Sequence, residues 1–288
     1  MTDELIINGK AIYTTKGAAR EYGRIGCNFY TGCPHNCEYC YLKRGAPSKQ
    51  LGGTEVRLKK CFKDEEDARQ TFIREMFNHH EFLRKVGIFF SFTTDPMIPE
   101  TRELTRFAVS MANMHGVPVK ILTKNADFTD IYGRTMQMFL SSTFFPEDIE
   151  FGFTLTGRDD MEPNASSNHD RIESMRYLHG LGFKTFASIE PVIDWQHARM
   201  VIDLSLDCCD HYKIGLRSGV KKDYYDLLQS SYAIRDLTEQ IVKAGRTVYL
   251  KESTRALLRR CFKEEECERI LGMTVDMDGL PYRKEDRL

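Results

Sequence analysis

The stretch that decides the fold reads Gly32-Cys33-Pro34-His35-Asn36-Cys37-Glu38-Tyr39-Cys40-Tyr41, with three cysteines spaced C-x3-C-x2-C. Gly, Pro and Asn between the cysteines favour a bent backbone over a helix or a strand. We therefore expect a short turn that brings three thiolates to one point. Three soft thiolates suit an iron–sulfur cluster or zinc. A zinc site would need a fourth protein ligand, whereas a cubane cluster held by three cysteines leaves one iron open to another molecule.

The composition narrows the class of protein. The chain has 288 residues and is 41% hydrophobic, which is enough for one large α/β domain or two small ones. The formal net charge of -1 provides no global basic field for nucleic acid, although a local basic groove remains an alternative. No apolar run approaches the roughly 18 residues of a membrane span. Nine cysteines behind an acidic N-terminus indicate a cytoplasmic protein that uses thiols for metal or redox chemistry.

Strand-like and helix-like segments alternate along the chain. An Asn-Gly pair at residues 8–9 predicts an N-terminal hairpin. The predicted strands are residues 25–30, 87–96, 117–124, 149–157, 183–192, 211–216 and 246–252. The predicted helices are residues 64–85, 100–115, 128–141, 168–179, 195–204 and 224–243, and the charged tail from residue 264 is expected to end in loop.

This alternation is typical of a parallel sheet whose strands are joined by right-handed helical crossovers. About six units fit a partial (βα)6 barrel, and a closed (βα)8 barrel is the alternative. In either barrel, function lies at the C-terminal ends of the strands, where the polar residues of this chain gather. We expect an N-terminal β extension over residues 1–24, the barrel over residues 25–220 and a C-terminal helix and strand extension over residues 221–288.

The cysteine stretch, with an aromatic residue directly before its last cysteine, resembles the signature of radical S-adenosylmethionine (SAM) enzymes. The resemblance implies a partial (βα)6 radical SAM barrel in which Cys33, Cys37 and Cys40 hold a [4Fe–4S] cluster. SAM would chelate the open iron, and reduction would cleave it to methionine and a 5′-deoxyadenosyl radical. Tyr39 would lie against the adenine. The alternatives are a zinc knuckle or three unrelated buried thiols.

The strand ends resemble the spore photoproduct lyase-like branch of these enzymes. Residues 93–96 read Thr-Thr-Asp-Pro where many radical SAM enzymes have Gly-Gly-Glu. The resemblance implies that Thr94 and Asp95 hold the SAM amino group. It also implies that Lys124, in a Thr-Lys pair, binds the SAM carboxylate. The alternatives are a helix N-cap by Asp95 and a solvated Lys124.

Further polar residues close the next strands. Thr154, Thr156 and Arg158 would face the ribose or the substrate. Ser188 and Glu190 follow on the fifth strand, where Glu190 would hold ribose hydroxyls or a substrate amine, or form a structural salt bridge. Weaker candidates are Lys213, Lys251 and Glu252, because charges at strand ends are usually just solvated.

One residue differs from the sequence pattern of the spore photoproduct lyase-like branch. Spore photoproduct lyase has a hydrogen-donating cysteine three residues before the Asp, and this chain has Phe92 there. Repair of the spore thymine dimer is therefore not expected. The runs at residues 189–192 and 248–251 also resemble a phage-associated radical SAM-like family. Five further cysteines are expected to be buried or incidental: Cys27, Cys208, Cys209, Cys261 and Cys267. The 208–209 pair is an alternative thiol donor, and the pair of Cys261 and Cys267 supplies too few ligands for an auxiliary cluster.

The sequence thus predicts a SAM-cleaving radical enzyme that abstracts hydrogen from an unactivated C–H bond. A nucleic acid or nucleotide is the candidate substrate, and a flavodoxin or ferredoxin is the expected electron donor. We expect a monomer or a weak dimer. The alternative is a non-catalytic binding protein with a structural zinc or cluster site.

Overall fold

The described part of the chain contains ten strands. The computed structural model describes residues 5–44, 48, 51–127, 145–221 and 223–282, so the predicted helix at residues 128–141 lies outside the described residues. The strands are β1 Ile12–Thr14, β2 Ile25–Cys27, β3 Tyr30–Thr31, β4 Arg57–Leu58, β5 Ile88–Phe90, β6 Val119–Thr123, β7 Ile149–Thr154, β8 Lys184–Val192, β9 His211–Leu216 and β10 Thr247–Leu250.

Eight α-helices accompany these strands within the described ranges. They are α1 Glu65–Asn78, α2 His80–Val86, α3 Arg102–Met114, α4 Asn168–Gly180, α5 Trp195–Ser205, α6 Leu227–Lys243, α7 Glu252–Cys261 and α8 Glu264–Leu271. None of the described helices is both long enough and apolar enough to cross a membrane.

A single sheet orders eight of the strands as β1-β2-β5-β6-β7-β8-β9-β10. All neighbours from β2 to β10 are parallel, and β1 pairs antiparallel with β2 at one edge. The predicted parallel α/β architecture is confirmed. Among the described residues β1 and β10 do not pair with each other, so the sheet is not the closed (βα)8 alternative. The count of six units and the domain boundaries at residues 24/25 and 220/221 stay predictions.

The two faces of the sheet bury different side chains. One face packs against the helices and forms a large apolar core that includes Ile121, Phe151 and Ile214. The other face forms a smaller cluster that joins Phe89 of β5 to Phe186 of β8. Two strands lie between β5 and β8 in the sheet, so this contact requires a curved sheet whose concave face encloses an interior.

A short segment closes this interior. Residues 17–22, which we call the strap, comprise a 3-10 helix, Gly17–Glu21, and Tyr22. The strap connects β1 to β2 at one edge of the sheet, yet it contacts side chains of the opposite edge. Lys213 of β9 donates to the Glu21 carbonyl (2.9 Å), and the Tyr249 hydroxyl of β10 donates to the Glu21 carboxylate (3.1 Å). The strap therefore spans the open side of the curved sheet.

Several predicted elements differ from the structure. The helix predicted at residues 64–85 is two helices, because His79 leaves the helical conformation (φ -125°, ψ 19°) between them. The strand predicted at residues 25–30 ends at Cys27, and the next residues pair with β4 instead of β5. The charged tail begins with α8, whose first turn is acidic as a helix N-terminus favours, and residues 272–282 after it contain no further helix.

Candidate active site

The cysteine turn lies between β3 and a short 3-10 helix, Tyr41–Lys43. Cys37 is buried, Cys33 and Cys40 are partly buried, and all three thiols are free. Gly32 has a left-handed backbone (φ +82°), and a Cβ there would lie 2.0 Å from the Glu55 carbonyl oxygen. Only glycine fits this bend, so the predicted turn chemistry is confirmed.

A distant loop holds the turn in place. The Glu38 amide donates to the Met161 carbonyl (3.0 Å), and the Asn164 carboxamide donates to the Pro34 carbonyl (2.9 Å). Both partners belong to the connection between β7 and α4. The turn is thereby fixed over the C-terminal ends of the strands, where a barrel carries its function.

One cavity of about 570 Å³ brings most of the predicted site residues together. Its wall includes nine of the ten, namely Cys33, Cys37, Cys40, Tyr39, Thr94, Asp95, Lys124, Ser188 and Glu190. Thr154 and Lys251 also line it, whereas Arg158, Lys213 and Glu252 do not. Among the residues that the structure describes, no three His, Cys, Asp or Glu side chains form a ready-made metal site.

Thr156 is the one residue of the ten that does not line the cavity, and its assignment to SAM stays a prediction. Its hydroxyl donates to the carboxylate of Glu162 (3.1 Å). Glu162 also forms a fully buried ion pair with Arg171 (2.8 Å) and accepts a hydrogen bond from the Tyr39 hydroxyl. Thr156 therefore belongs to a polar network behind Tyr39, because a buried carboxylate needs several partners.

Asp95 is the centre of the best-connected network in the site. One carboxylate oxygen accepts from the Thr123 hydroxyl (2.6 Å) and the Met97 amide (2.9 Å). The other accepts from the Lys124 amide (2.7 Å) and lies 2.9 Å from Nε2 of His35. This single buried side chain ties the end of β5 to the end of β6 and to the cysteine turn.

His35 is held on both sides of its ring. Nδ1 lies 2.9 Å from the Asn164 carbonyl oxygen, and Nε2 faces the Asp95 carboxylate. Both partners are acceptors, so both ring nitrogens donate and the imidazolium form is favoured. Burial lowers the pKa of His35, but the hydrogen bond and charge of Asp95 outweigh it, and the pKa is raised. Burial likewise opposes ionisation of Asp95, yet the hydrogen bond and charge of His35 lower its pKa to about 2.

Two polar groups at the cavity have no partner among the described residues. The Thr94 hydroxyl oxygen is buried and accepts or donates no hydrogen bond there. The Lys124 ammonium makes no ion pair with a described carboxylate and lies 5.6 Å from the centre of the Tyr39 ring. Buried polar groups usually have partners, so the Thr94 hydroxyl, beside an ammonium without an anion, is typical of a binding site.

The thiols are in surroundings that do not favour free thiolates. Burial and the Asp95 carboxylate raise the pKa of Cys33 to about 12, and burial also raises the pKa of Cys37. A bound cation would therefore be needed to deprotonate them, as metal coordination does. Three soft donors facing one cavity fit an iron–sulfur cluster by their chemistry.

Solved structures share this architecture. A spore photoproduct lyase complexed with dinucleoside spore photoproduct matches with a TM-score of 0.56 and 13% identity, over 83% of this chain and 80% of that one. A mutant with bound AdoMet gives a TM-score of 0.52 at 13% identity, over 80% of this chain and 64% of that one. Streptococcus suis SuiB bound to S-adenosylmethionine gives 0.51 at 14% identity, over 81% of this chain and 51% of SuiB.

The chain has the fold of spore photoproduct lyase. SuiB is also a radical SAM enzyme, so the predicted resemblance is confirmed at the level of the fold. In sequence, an uncharacterized protein of Methanocaldococcus jannaschii is 29% identical over 175 residues, which cover 58% of this chain. The chain spans 59% of the length of that relative. No protein-family model matches the chain.

Phe92 contributes an aromatic surface to the cavity instead of a thiol. Its ring stacks on Phe89 with 4.7 Å between the ring centroids. The cysteines that were considered as donors or as an auxiliary cluster do not line the cavity: Cys27, Cys208, Cys209, Cys261 and Cys267. Cys208 and Cys209 are buried, as the sequence analysis expects.

The wall formed by β8 and β10 is a hydrogen-bonded cluster. The Tyr22 hydroxyl of the strap lies 2.6 Å from the Ser188 hydroxyl and donates to the Glu190 carboxylate. Glu190 also pairs with Lys251 (2.6 Å), whose ammonium lies 4.4 Å from the centre of the Tyr22 ring. The structural salt bridge that was the alternative for Glu190 is present, and Glu190 still faces the cavity. Beneath it, burial lowers the pKa of Lys213 to about 7.

Sequence reasoning missed three residues of the site. His35 stands inside the cysteine turn, and its position between ligand candidates was an available signal. Glu162 and Tyr22 are 123 and 166 residues from the partners Tyr39 and Ser188 that they contact. No local pattern in the sequence indicates such contacts.

Proposed function

We propose that this chain is a radical SAM enzyme that binds a [4Fe–4S] cluster through Cys33, Cys37 and Cys40. The observation that carries the proposal is that the three free thiols line one cavity while the histidine of the turn is already engaged. Both ring nitrogens of His35 have partners, so His35 is not a fourth ligand. When bound, the cluster supplies the electron that splits SAM into methionine and a 5′-deoxyadenosyl radical.

The side chains around the thiols are proposed to bind and orient SAM. The Lys124 ammonium would pair with the SAM carboxylate, since it has no other described anion. The unpartnered Thr94 hydroxyl would accept from the SAM amino group, and Tyr39 would lie against the adenine. The Asp95 carboxylate already accepts from donors at both oxygens. We therefore propose that Asp95 positions His35 and the end of β6 without touching SAM.

The apolar part of the wall would exclude water from the reaction. Phe89, Phe92 and Leu122 line the cavity next to the strap. Excluding water protects a reactive intermediate from side reactions. A nucleotide or nucleic acid remains the candidate substrate, and the support for it is the shared fold with spore photoproduct lyase, whose structure holds a dinucleoside spore photoproduct. We propose a flavodoxin or ferredoxin as electron donor and keep cytoplasmic location and a monomer or weak dimer as predictions.

Anaerobic reconstitution tests the proposed cluster. We expect about four irons per chain and formation of 5′-deoxyadenosine when dithionite and SAM are added. Cys37→Ala should lose the iron, whereas the matched change Cys61→Ala should keep it, because Cys61 is exposed and outside the cavity wall. One zinc per chain without brown absorbance would instead favour the structural binding protein.

Calorimetric titration with SAM tests the proposed anion partner. Lys124→Met should weaken SAM binding about tenfold or more, because a hydrogen bond to a charged group contributes about 1.5–3 kcal/mol. Lys43→Met is the control, since Lys43 also lines the cavity but already donates to the Asn36 carbonyl (2.8 Å). Equal affinities for the two variants would contradict the assignment of Lys124.

A further inference from the structure

Cations outnumber anions on the cavity wall. Its two carboxylates are paired internally, Asp95 with His35 (2.9 Å) and Glu190 with Lys251 (2.6 Å). The remaining charged groups of the wall among the described residues are the cations Lys43, Lys124 and Arg217. If Lys124 binds the SAM carboxylate, the wall keeps a positive charge for which SAM offers no second carboxylate.

Arg217 follows the C-terminal end of β9, and its backbone is fixed. Its amide donates to the Tyr225 hydroxyl (2.7 Å). The next residue, Ser218, accepts a hydrogen bond at its carbonyl from Arg44 (2.8 Å). These contacts hold Arg217 at the cavity without using its own side-chain nitrogens.

The guanidinium itself is poorly satisfied. Its Nε is buried and has no hydrogen-bond partner among the described residues. No described carboxylate lies within ion-pair distance, and the nearest recorded contact is the Tyr224 ring, 5.8 Å from its centre to Cζ. A guanidinium presents five donors in a rigid fork that matches the oxygens of a carboxylate or a phosphate.

We propose that Arg217 binds an oxyanion of the substrate, a phosphate or a carboxylate. This inference rests on the proposed function, because it assigns to the substrate the part of the cavity that SAM does not use. β9 lies three strands from β6, which carries Lys124 at its end. With a spacing of about 4.8 Å per strand, the strand ends that carry the two cations are about 14 Å apart along the curved sheet, so the two cations belong to different parts of the cavity wall.

Titration calorimetry on the whole chain, with its cluster reconstituted and SAM at saturation, tests this site. The probes are inorganic phosphate, uridine 5′-monophosphate and succinate, with uridine as the uncharged control. We expect at least one oxyanion to bind and uridine alone to bind more weakly than its monophosphate. Arg217→Gln should weaken binding of that oxyanion about tenfold or more.

Three further variants separate binding from folding. Arg217→Lys keeps the charge but not the fork and should bind with intermediate affinity, which also tests the site if Arg217→Gln does not fold. Arg199→Gln is the matched control, since Arg199 is exposed on α5 and outside the cavity, and it should leave binding within about twofold. Lys124→Met should weaken SAM binding while leaving oxyanion binding intact.

Each outcome decides the inference. Binding of inorganic phosphate or of uridine 5′-monophosphate identifies a phosphate-bearing substrate. Binding of succinate alone identifies a carboxylate-bearing substrate. Either result supports the site. No binding of any probe, or equal binding by Arg217→Gln, overturns it. A chain that cleaves SAM but binds no oxyanion refutes only this inference, whereas oxyanion binding through Arg217 without SAM cleavage refutes only the proposed function.

Discussion

Removing the carboxylate of Asp95 tests the reasoning about the site most directly. Asp95→Ala deletes an acceptor that serves the Thr123 hydroxyl, the amides of Met97 and Lys124, and His35. These donors are largely shielded from solvent, because Asp95 and His35 are only 7% and 4% exposed. The variant therefore leaves a buried cation and several buried donors without an acceptor.

The expected loss of stability follows from the lowered pKa of Asp95 and from the cost of breaking a buried ion pair. The pKa of Asp95 falls from an ordinary 3.8 to about 2, and each pKa unit corresponds to about 1.4 kcal/mol. The native surroundings thus favour the ionised carboxylate by about 2 kcal/mol. Deleting one partner of a buried pair costs more than this preference, about 3–5 kcal/mol, because the other partner stays buried and unpaired. We expect Asp95→Ala to lower the free energy of unfolding by about 3–5 kcal/mol.

Urea unfolding followed by circular dichroism measures this loss. The matched control is Asp278→Ala, which removes an even shorter ion pair with Arg24 (2.6 Å) at side chains that are 39% and 40% exposed. Exposed pairs contribute under about 1 kcal/mol, so the control should change little. If both variants lose the same small amount, burial of the Asp95 network does not stabilise the fold and the reasoning is refuted.

The remaining predictions concern the strap, the interior and the pH dependence. Tyr22→Phe removes a hydroxyl with two partners on β8 and should cost about 1 kcal/mol in urea unfolding, whereas Tyr232→Phe at a 42% exposed ring should not; equal losses would contradict this. Gly152→Ala would place a Cβ 2.1 Å from the Phe186 ring, and this overpacking should destabilise the fold by about 1–3 kcal/mol and lower the melting temperature. Gly180→Ala is the control, because its Cβ would have no atom within 4 Å and its melting temperature should not fall. The folded-state pKa of Asp95 lies below its unfolded value, so its stabilisation of the fold is present above about pH 4 and is lost as the pH falls through about 2. A constant difference in the free energy of unfolding between the unmodified chain and Asp95→Asn over that pH range would contradict the assignment.

The sequence predicts those features that depend on neighbouring residues. The bend at Gly32 follows from the residue type, because glycine adopts a left-handed backbone that other residues avoid. The strand–helix alternation follows from the periodicity of the apolar residues. The wall positions of Ser188 and Glu190 follow from the alternation along one strand. Each of these signals lies within about ten residues of chain, which is the range over which spacing carries information.

The remaining features depend on contacts between distant segments. Thr156 has the same strand-end position as its neighbours, yet Glu162 turns its hydroxyl away from the cavity. The break at His79 falls inside an otherwise helical pattern. The partners of Tyr22 lie on a strand 166 residues away. Propensity and spacing do not specify such pairings, because tertiary contacts override them.

The strap has a consequence for how enzymes of this architecture can diverge. It joins the edge strand β1 to its neighbour β2 and has polar contacts with Ser188, Glu190, Lys213, Tyr249 and Lys251. The cysteine turn is held by Met161 and Asn164, which lie outside the strap. A change of length or sequence over residues 17–22 would therefore reshape the chamber while leaving the cysteine turn unaltered. Under the proposed function, exchanging this one segment between relatives would change the substrate part of the chamber and keep the cysteine turn intact.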